Sequence, residues 1–97
     1  MSKLRKSAQG RPCMVRIPYI CNGDPATTVL AHYRLAGCNG MGLKPDDALG
    51  AWCCSACHDV VDFRRDVSEQ LSRLEIRHLH ADGCLRTFDA LRREGLL

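Results

Sequence analysis

Seven cysteines among 97 residues constrain this chain more than any other feature. A domain of this size buries a small share of its surface, so a metal ion or a covalent link is often needed to stabilise it. Only five residues are aromatic, which leaves few large side chains for a core. We therefore expect the cysteines to stabilise the fold, either as metal ligands or as disulfides.

Three features of the sequence favour metal ligands over disulfides. The number of cysteines is odd, which does not suit a closed disulfide framework. The first residues are polar and basic and show no apolar signal segment, so we expect the cytoplasm, where thiols stay reduced. A histidine follows directly in Cys57-His58. No apolar run approaches the roughly 20 residues that span a bilayer, so no membrane association is predicted.

Cys54-Ser55-Ala56-Cys57 has the spacing of a zinc-binding pair, because the turn of a C-x-x-C segment brings both sulfurs to one point. A structural zinc needs four ligands, and Cys13 and Cys21 are the best additional donors, since they flank a short segment whose ends can fold together. Two alternatives stay open at this point. Cys53 could replace Cys54 as a ligand. The pair could instead be a redox motif, although the βαβ pattern that would accompany it is not seen.

Local patterns predict the order strand, strand, helix, with further helix after. Residues 27–34 and 48–53 are predicted strands, and the glycine-rich residues 36–45 between them are a predicted loop. Cys38 in that loop and Cys84 near a helix are expected to be spare thiols, and Cys84 to pack as a small hydrophobic residue.

Helical spacing begins after Ser55. Asp66 and Glu69 have the spacing of a capping box, which predicts a helix start there. The apolar face of that helix is predicted to hold Val67, Leu71, Leu74 and His78, followed by a stripe of Leu85, Phe88 and Leu91. Gly83 either separates two helices or lies inside one long helix, at a cost of about 1 kcal/mol relative to alanine.

The charge distribution is mildly basic, with a formal net charge of +3 and a pI near 8.6. It permits nucleic-acid binding without requiring it. Basic residues are concentrated in the first sixteen positions, where no acidic residue occurs. We predict a flexible basic arm over residues 1–11 and a single domain over residues 12–97. The arm is either a solvated tail or a segment that contacts phosphates.

The histidines suggest a second site. His58 and Asp62 are four residues apart, which on a helix presents an imidazole and a carboxylate to one cation. His32 lies in the first predicted strand and could face His58, and Asp46 and Asp47 precede the second strand. Such a set suits metal-assisted phosphodiester hydrolysis, with His32 as general base. The alternative is structural: His32 is a half-buried strand residue, and His58 is a helix-start residue or a fifth candidate ligand of the zinc. His78 and His80 are predicted to be solvated or core helix residues.

These residues also resemble a known family. Cys-x-x-Cys-His, preceded by a histidine-bearing strand and a glycine-rich loop, resembles the HNH (ββα-metal) nucleases. A closer resemblance is to the YbcO-type family of lambdoid prophages, whose members are regarded as nucleases. The matching stretches are C-x-V-R-I-P-x-x-C-N-G at 13–23, L-A-H-x-R-L at 30–35, K-P-x-D at 44–47, C-S-A-C-H-D at 54–59 with Asp62, and the C-terminal EGLL. They extend over nearly the whole chain.

The resemblance implies an α+β fold, a small zinc-stapled ββα-metal core with a C-terminal helical extension. It implies a phage-type endonuclease that hydrolyses DNA with Mg²⁺ or Mn²⁺ in the bacterial cytoplasm. In it, His32 would be the general base, His58 a ligand of the catalytic ion, and Asp62 and Asp47 candidate carboxylates. The structural zinc would be bound by Cys13, Cys21, Cys54 and Cys57. Candidate nucleic-acid-binding residues are Lys3, Arg5, Lys6, Arg11 and Arg34.

Two positions depart from the HNH pattern. Ala31 stands where the family pattern has an acidic residue or a histidine, and no residue clearly matches the middle asparagine, for which Asp47 is nearest in order and Asn39 a weaker candidate. An alternative function is therefore a non-enzymatic zinc module that binds nucleic acid or a phage recombination protein. In a third interpretation, the zinc only stabilises the fold.

Overall fold

The computed structural model describes residues 3–35 and 46–97. The predicted loop over residues 36–45, with Cys38 and Asn39, lies outside the described residues. The elements in chain order are α1 (Lys3–Ser7), β1 (Val29–His32), β2 (Gly50–Cys53), α2 (Ser55–Val61) and α3 (Arg73–Arg93). Short 3₁₀ turns at Pro25–Thr27 and Asp47–Leu49 precede the two strands. The fold is therefore a small α+β domain, in the predicted order of two strands followed by helices.

The two strands pair antiparallel, with Val29 opposite Cys53 and His32 opposite Gly50. Alternate residues of a strand point to opposite faces, and both faces of this sheet are buried. Trp52 lies in one apolar cluster, with Leu91 and Ala8, while Cys53 lies in the other, with the remaining buried cysteines. The strands are shorter than predicted because each begins after a 3₁₀ turn. In the first of these turns the Asp24 carboxylate accepts a hydrogen bond from the Ala26 amide.

The predicted start of the long helix is wrong. Asp66 accepts a hydrogen bond from the Ser68 amide within a turn, and α3 begins seven residues later, at Arg73. Ser72 and Glu75 form the actual capping box: the Ser72 hydroxyl accepts from the Glu75 amide, and the Glu75 carboxylate accepts from the Ser72 amide. Both segments carry the same capping signature, so local sequence does not choose between them.

The later start changes which face of α3 is buried. Leu74 and His78, predicted on the apolar face, are exposed. The buried residues of α3 are Ile76, His80, Gly83, Thr87 and Leu91. The predicted second stripe is divided as well, because Leu91 is buried whereas Leu85 and Phe88 are 68% and 47% exposed.

Gly83 lies inside one continuous helix, where α3 passes close to the segment that follows Cys13. A Cβ built on Gly83 would lie 2.9 Å from Val15 Cγ2. One turn later, the Thr87 hydroxyl accepts a hydrogen bond from the Trp52 amide at 2.9 Å and donates one to the Gly83 carbonyl. Small side chains on this face thus allow α3 to pack tightly against β2 and residues 13–15.

The first residues differ from the predicted flexible arm. Lys3–Ser7 is helical, and the Ser7 hydroxyl accepts a hydrogen bond from Trp52 Nε1 at 3.1 Å. Ala8 is buried, and the Arg11 guanidinium forms two hydrogen bonds with the Glu94 carboxylate at the other end of the chain. The segment packs here because the large Trp52 ring must be covered on this side. No helix among the described residues is long and apolar enough to cross a membrane.

Candidate functional site

Four of the cysteines form a single cluster. One sulfur from each of Cys13, Cys21, Cys54 and Cys57 lies within 4.8 Å of every other. The Cys21 and Cys54 sulfurs are 3.8 Å apart. A tetrahedral zinc with Zn–S bonds near 2.3 Å requires sulfur–sulfur distances of about 3.8 Å, so the cluster has the right size and donor set. These four cysteines could therefore hold a metal ion such as zinc.

Residues 13–21 fold back on themselves to bring the first two sulfurs together. The Ile17 carbonyl accepts hydrogen bonds from the amides of Ile20 and Cys21, while the Ile17 side chain is fully buried. Arg16 and Tyr19 have φ angles of 55° and 64°, a left-handed conformation that is uncommon for residues other than glycine. The tight reversal that they allow explains how cysteines eight positions apart can share one ion.

The second pair is positioned by the start of α2. Cys54 is the N-cap residue, and its sulfur accepts a hydrogen bond from the Cys57 amide at 3.4 Å. Cys53 is still part of β2 and does not belong to the cluster of four. The structure therefore groups Cys54 rather than Cys53 with Cys13, Cys21 and Cys57.

Cys53 is nevertheless buried next to the cluster. Hydrogen bonds from the Cys53 and Cys57 thiols to Cys13 lower the pKa of Cys13, because they stabilise its thiolate. The same interaction with Cys13, together with burial, raises the pKa of Cys53. Cys84 packs beside the core as predicted, and burial raises the pKa of its thiol to about 12. The fifth thiol, that of Cys53, thus lies where it can donate to a metal-bound sulfur.

His32 ends β1 and contacts a carboxylate across the sheet end. Its Nε2 lies 2.7 Å from Asp47 Oδ1, and the same oxygen is 3.1 Å from Arg5 Nε. Both side chains of the His32–Asp47 pair are mostly shielded from solvent. Asp47 therefore fixes the orientation of the imidazole and connects it to α1.

His58 and Asp62 share one face of α2 and its C-cap, as their spacing predicts. His58 Nε2 and Asp62 Oδ2 are 3.0 Å apart. Two adjacent ligands of an octahedral ion, each about 2.1 Å from it, would be separated by about 3 Å. His58 Nδ1 accepts a hydrogen bond from Arg64, whose guanidinium is also near Asp59 and Asp62. The pair has the separation needed to hold one divalent cation together.

A small pocket of about 80 Å³ brings His32 and Asp62 to one place. It is lined by His32, Arg34, Val61, Asp62, Phe63, Ile76, Arg77 and His80. His58 does not line the pocket, but its Nε2 is 3.0 Å from the carboxylate of Asp62, which does. Within residues 3–35 and 46–97, no second set of three or more histidine, cysteine or acidic ligand atoms is as close as the cysteine cluster. The histidine site therefore offers a pair of ligands and a separate imidazole.

His80 is part of this pocket, whereas the sequence predicted only a solvated or core helix residue. Its Nε2 donates a hydrogen bond to the Ala31 carbonyl at 3.0 Å, and its ring meets the Tyr33 ring edge-on. Burial lowers the pKa of His80, so the imidazole is neutral near pH 7. Ile76, His80 and Gly83 follow one another at steps of four and three, and this helical spacing is the signal that could have identified His80 as buried.

The candidate nucleic-acid-binding residues lie in different surroundings. Lys3, Arg5 and Lys6 are on α1 and are all exposed, and Arg34 lines the pocket. Arg5 and Arg11 already face the carboxylates of Asp47 and Glu94. The first segment thus offers fewer unpaired cations than its sequence suggests.

Comparisons with known proteins agree over most of the chain. A family model described as "Putative nuclease YbcO" matches residues 2–96. Proteins of that name from Escherichia coli K12 and Enterobacteria phage 82 are each 58% identical over 64 residues, which cover 66% of this chain and 67% of each relative. A solved structure, "Structure of a putative bacteriophage protein from Escherichia coli str. K-12 substr. MG1655", is 39% identical, with a TM-score of 0.80 over 96% of this chain and 100% of that chain.

Proposed function

Because this chain belongs to the YbcO family, whose curated relatives carry the name of a nuclease, we propose that it is a metal-dependent endonuclease of the HNH (ββα-metal) type that hydrolyses DNA. The observation that supports this most strongly is the pocket that His32 and Asp62 share, with His58 3.0 Å from that carboxylate. It combines a candidate base and a candidate cation site, the two components that phosphodiester hydrolysis requires.

In this proposal His32 is the general base. Its Nε2–H donates to Asp47, which leaves Nδ1 with a lone pair that can accept the proton of the attacking water. Asp47 acts as a positioning residue, since it selects this tautomer and holds the ring. We assign it this role in place of the metal-ligand role that the sequence suggested, because its Oδ1 already contacts His32 and Arg5.

His58 and Asp62 would hold Mg²⁺ or Mn²⁺. When bound, such an ion stabilises the negative charge that develops on the phosphate and on the leaving oxygen. Two protein ligands suffice for Mg²⁺, which commonly keeps several water ligands. His58 would bind through Nε2, so its proton would move to Nδ1 and Arg64 would turn away from that nitrogen.

The cysteine cluster would hold a structural zinc that links residues 13–21 to the first turn of α2. Cys57 belongs to that cluster, and His58 is the next residue. A closed four-cysteine site leaves no open position for substrate, which suits a structural role. The zinc would therefore position the catalytic ligand without taking part in the reaction.

Cleavage of plasmid and branched DNA by the zinc-loaded chain with Mg²⁺ or Mn²⁺ tests this function. We expect metal-dependent nicking, and a rate that falls by about 10²–10⁴ in His32→Ala, the range that a general base contributes. His78→Ala is the matched control, because His78 is exposed on α3 and pairs with Asp82 away from the pocket. Equal rates for His32→Ala and the wild type would refute the role of His32.

A second candidate function is a zinc module that binds nucleic acid or a phage recombination protein without cleaving it. Two observations favour it. Ala31 offers no metal ligand beside His32, and among the described residues the candidate cation site has only two ligands close together, His58 and Asp62. DNA binding without cleavage at any divalent-ion concentration would select this function over the nuclease.

A further inference from the structure

Two arginines at the start of α3 are mounted on aromatic rings beside the His32 pocket. The Arg77 guanidinium lies 4.5 Å from the centre of the Tyr33 ring, and the Arg73 guanidinium lies 4.5 Å from that of Phe63. Arg77 also donates a hydrogen bond to the Arg34 carbonyl at 3.3 Å. A guanidinium above a ring is held in a limited range of orientations while its N–H groups stay available at the edge.

Among the described residues, no carboxylate pairs with the guanidinium groups of these two arginines. Within residues 3–35 and 46–97, neither Arg73 nor Arg77 has a carboxylate within ion-pair distance, whereas Arg5, Arg11 and Arg64 do. Both side chains are exposed. Fixed, unpaired guanidinium groups at a pocket mouth are suited to bind phosphate oxygens in pairs.

The backbone of Phe63 supports a role for this arrangement. Phe63 follows α2 with a φ of 59°, in the left-handed region where a bulky residue is an outlier and glycine is usual. Phe63 is 56% exposed, and its ring lies under Arg73, while the residue also lines the His32 pocket. This backbone conformation places the Phe63 ring where the Arg73 guanidinium lies over it, beside the pocket.

We propose that Arg73 and Arg77 form a phosphate clamp, which binds neighbouring backbone phosphates of one DNA strand and places the reacting phosphate over His32. The two residues are four apart on α3 and so lie on one face, about 5–6 Å apart at Cβ. Arg77 lines the pocket itself, whereas Arg73 lies above the ring of Phe63, which lines the pocket. This inference rests on the proposed function, from which it takes DNA as the substrate. It places phosphate binding on α3, outside the basic N-terminal segment.

Equilibrium binding separates the clamp from the chemistry. A labelled DNA duplex is titrated, in Mg²⁺ and at several salt concentrations, with zinc-loaded His32→Ala protein, and with the same protein carrying Arg73→Ala, Arg77→Ala or both. We expect about tenfold weaker binding for each arginine removed, and a salt slope reduced by about one unit for each phosphate that the variant no longer binds. Arg77→Lys keeps the charge but not the planar fork, so we expect most of the salt slope and an intermediate affinity.

Arg86→Ala is the matched control. Arg86 is on the same helix and also lacks an acidic partner among the described residues, but it donates to the Met14 carbonyl on the opposite face. Its removal changes the net charge equally and should weaken binding less than twofold. Zinc content and melting temperature are measured for every variant, so that DNA affinities are compared only among proteins that remain folded and zinc-loaded.

The outcomes distinguish the clamp from the nuclease. Weaker binding for Arg73→Ala and Arg77→Ala, with Arg86→Ala unaffected, supports the clamp, whether or not the wild-type protein cleaves DNA. Affinities of the Arg73 and Arg77 variants equal to that of Arg86→Ala would overturn it, even if the wild type is an active nuclease. An absence of any DNA binding by the His32→Ala protein would overturn it as well.

Discussion

Replacing Gly83 with alanine should destabilise this protein, although the same change inside an exposed helix is usually stabilising by about 1 kcal/mol. The added Cβ would lie 2.9 Å from Val15 Cγ2, 3.0 Å from Val15 Cα and 3.1 Å from Met14 C. The backbone there cannot move freely, because the Met14 amide donates to the Trp52 carbonyl at 2.7 Å and the Met14 carbonyl accepts from Arg86 at 2.8 Å.

The size of the effect follows from these distances. Overpacking a dense interior costs about 1–3 kcal/mol. Two of the three atoms that the new methyl group would meet belong to the backbone, which favours the upper part of that range, about 2–3 kcal/mol. Subtracting the helix-propensity gain of about 1 kcal/mol leaves a net destabilisation of about 1–2 kcal/mol. In a domain of this size each kcal/mol lowers the melting temperature by about 4–8 °C.

Thermal unfolding of Gly83→Ala, followed by circular dichroism at constant zinc concentration and pH, measures this destabilisation. Leu74→Ala is the control, since Leu74 is on the same helix and 80% exposed, and its effect should stay within about 0.5 kcal/mol. A melting temperature for Gly83→Ala equal to or above that of the wild type would refute the close packing of residues 14–15 on α3.

Three further predictions concern the metal, the helix cap and a buried histidine. Chelation of the metal, or Cys57→Ser, should abolish cooperative unfolding in circular dichroism, because zinc binding is coupled to folding; a chelated chain with an unchanged melting curve would contradict this. Ser72→Ala should lower the free energy of unfolding, measured in urea, by about 1 kcal/mol, because the Ser72 hydroxyl would no longer accept a hydrogen bond from the Glu75 amide. An unchanged value would count against the observed helix start. Burial lowers the pKa of His80 in the folded protein, so the unfolded chain binds a proton at this residue more readily than the folded chain does. Stability should therefore decrease as the pH falls below about 6.5, the pKa of the unfolded histidine. His80→Gln, which can still donate to the Ala31 carbonyl, should show a weaker decrease in stability between pH 7 and 5, and identical pH dependence of the two proteins would argue against this origin.

The cysteine cluster was predictable because its information is local. The spacing of Cys54 and Cys57 requires one turn at a helix start, and the structure supplies that turn. Cys13 and Cys21 were assigned as the best remaining donors, and the tight reversal at Ile17 brings them to the same point. The choice between Cys53 and Cys54 could not be made from sequence, since it depends on where β2 ends.

The start of α3 was not predictable from the same kind of signal. Asp66 with Glu69 and Ser72 with Glu75 are both acceptable caps. The buried side chain of Val67 holds residues 66–70 in turns, and its burial depends on core residues distant in sequence.

The histidine site was predictable in part. The pairing of His58 with Asp62 follows from helical spacing, which is local. The contact between His32 and Asp47 joins residues on either side of residues 36–45, and the position of His80 depends on how α3 packs on the sheet. Such contacts are set by tertiary packing, which no local pattern specifies.

The zinc is proposed to stabilise the fold while a separate ion next to it supports the reaction. Zinc content and single-turnover DNA cleavage by His58→Ala, measured on the same sample, test this division most directly. We predict one zinc per chain and a near-native melting temperature, since the zinc would be bound by the four clustered cysteines and not by His58. We also predict a large decrease in Mg²⁺-dependent cleavage, because His58 would hold the catalytic ion. Loss of zinc along with activity, or cleavage at the wild-type rate, would contradict the separation of the two sites.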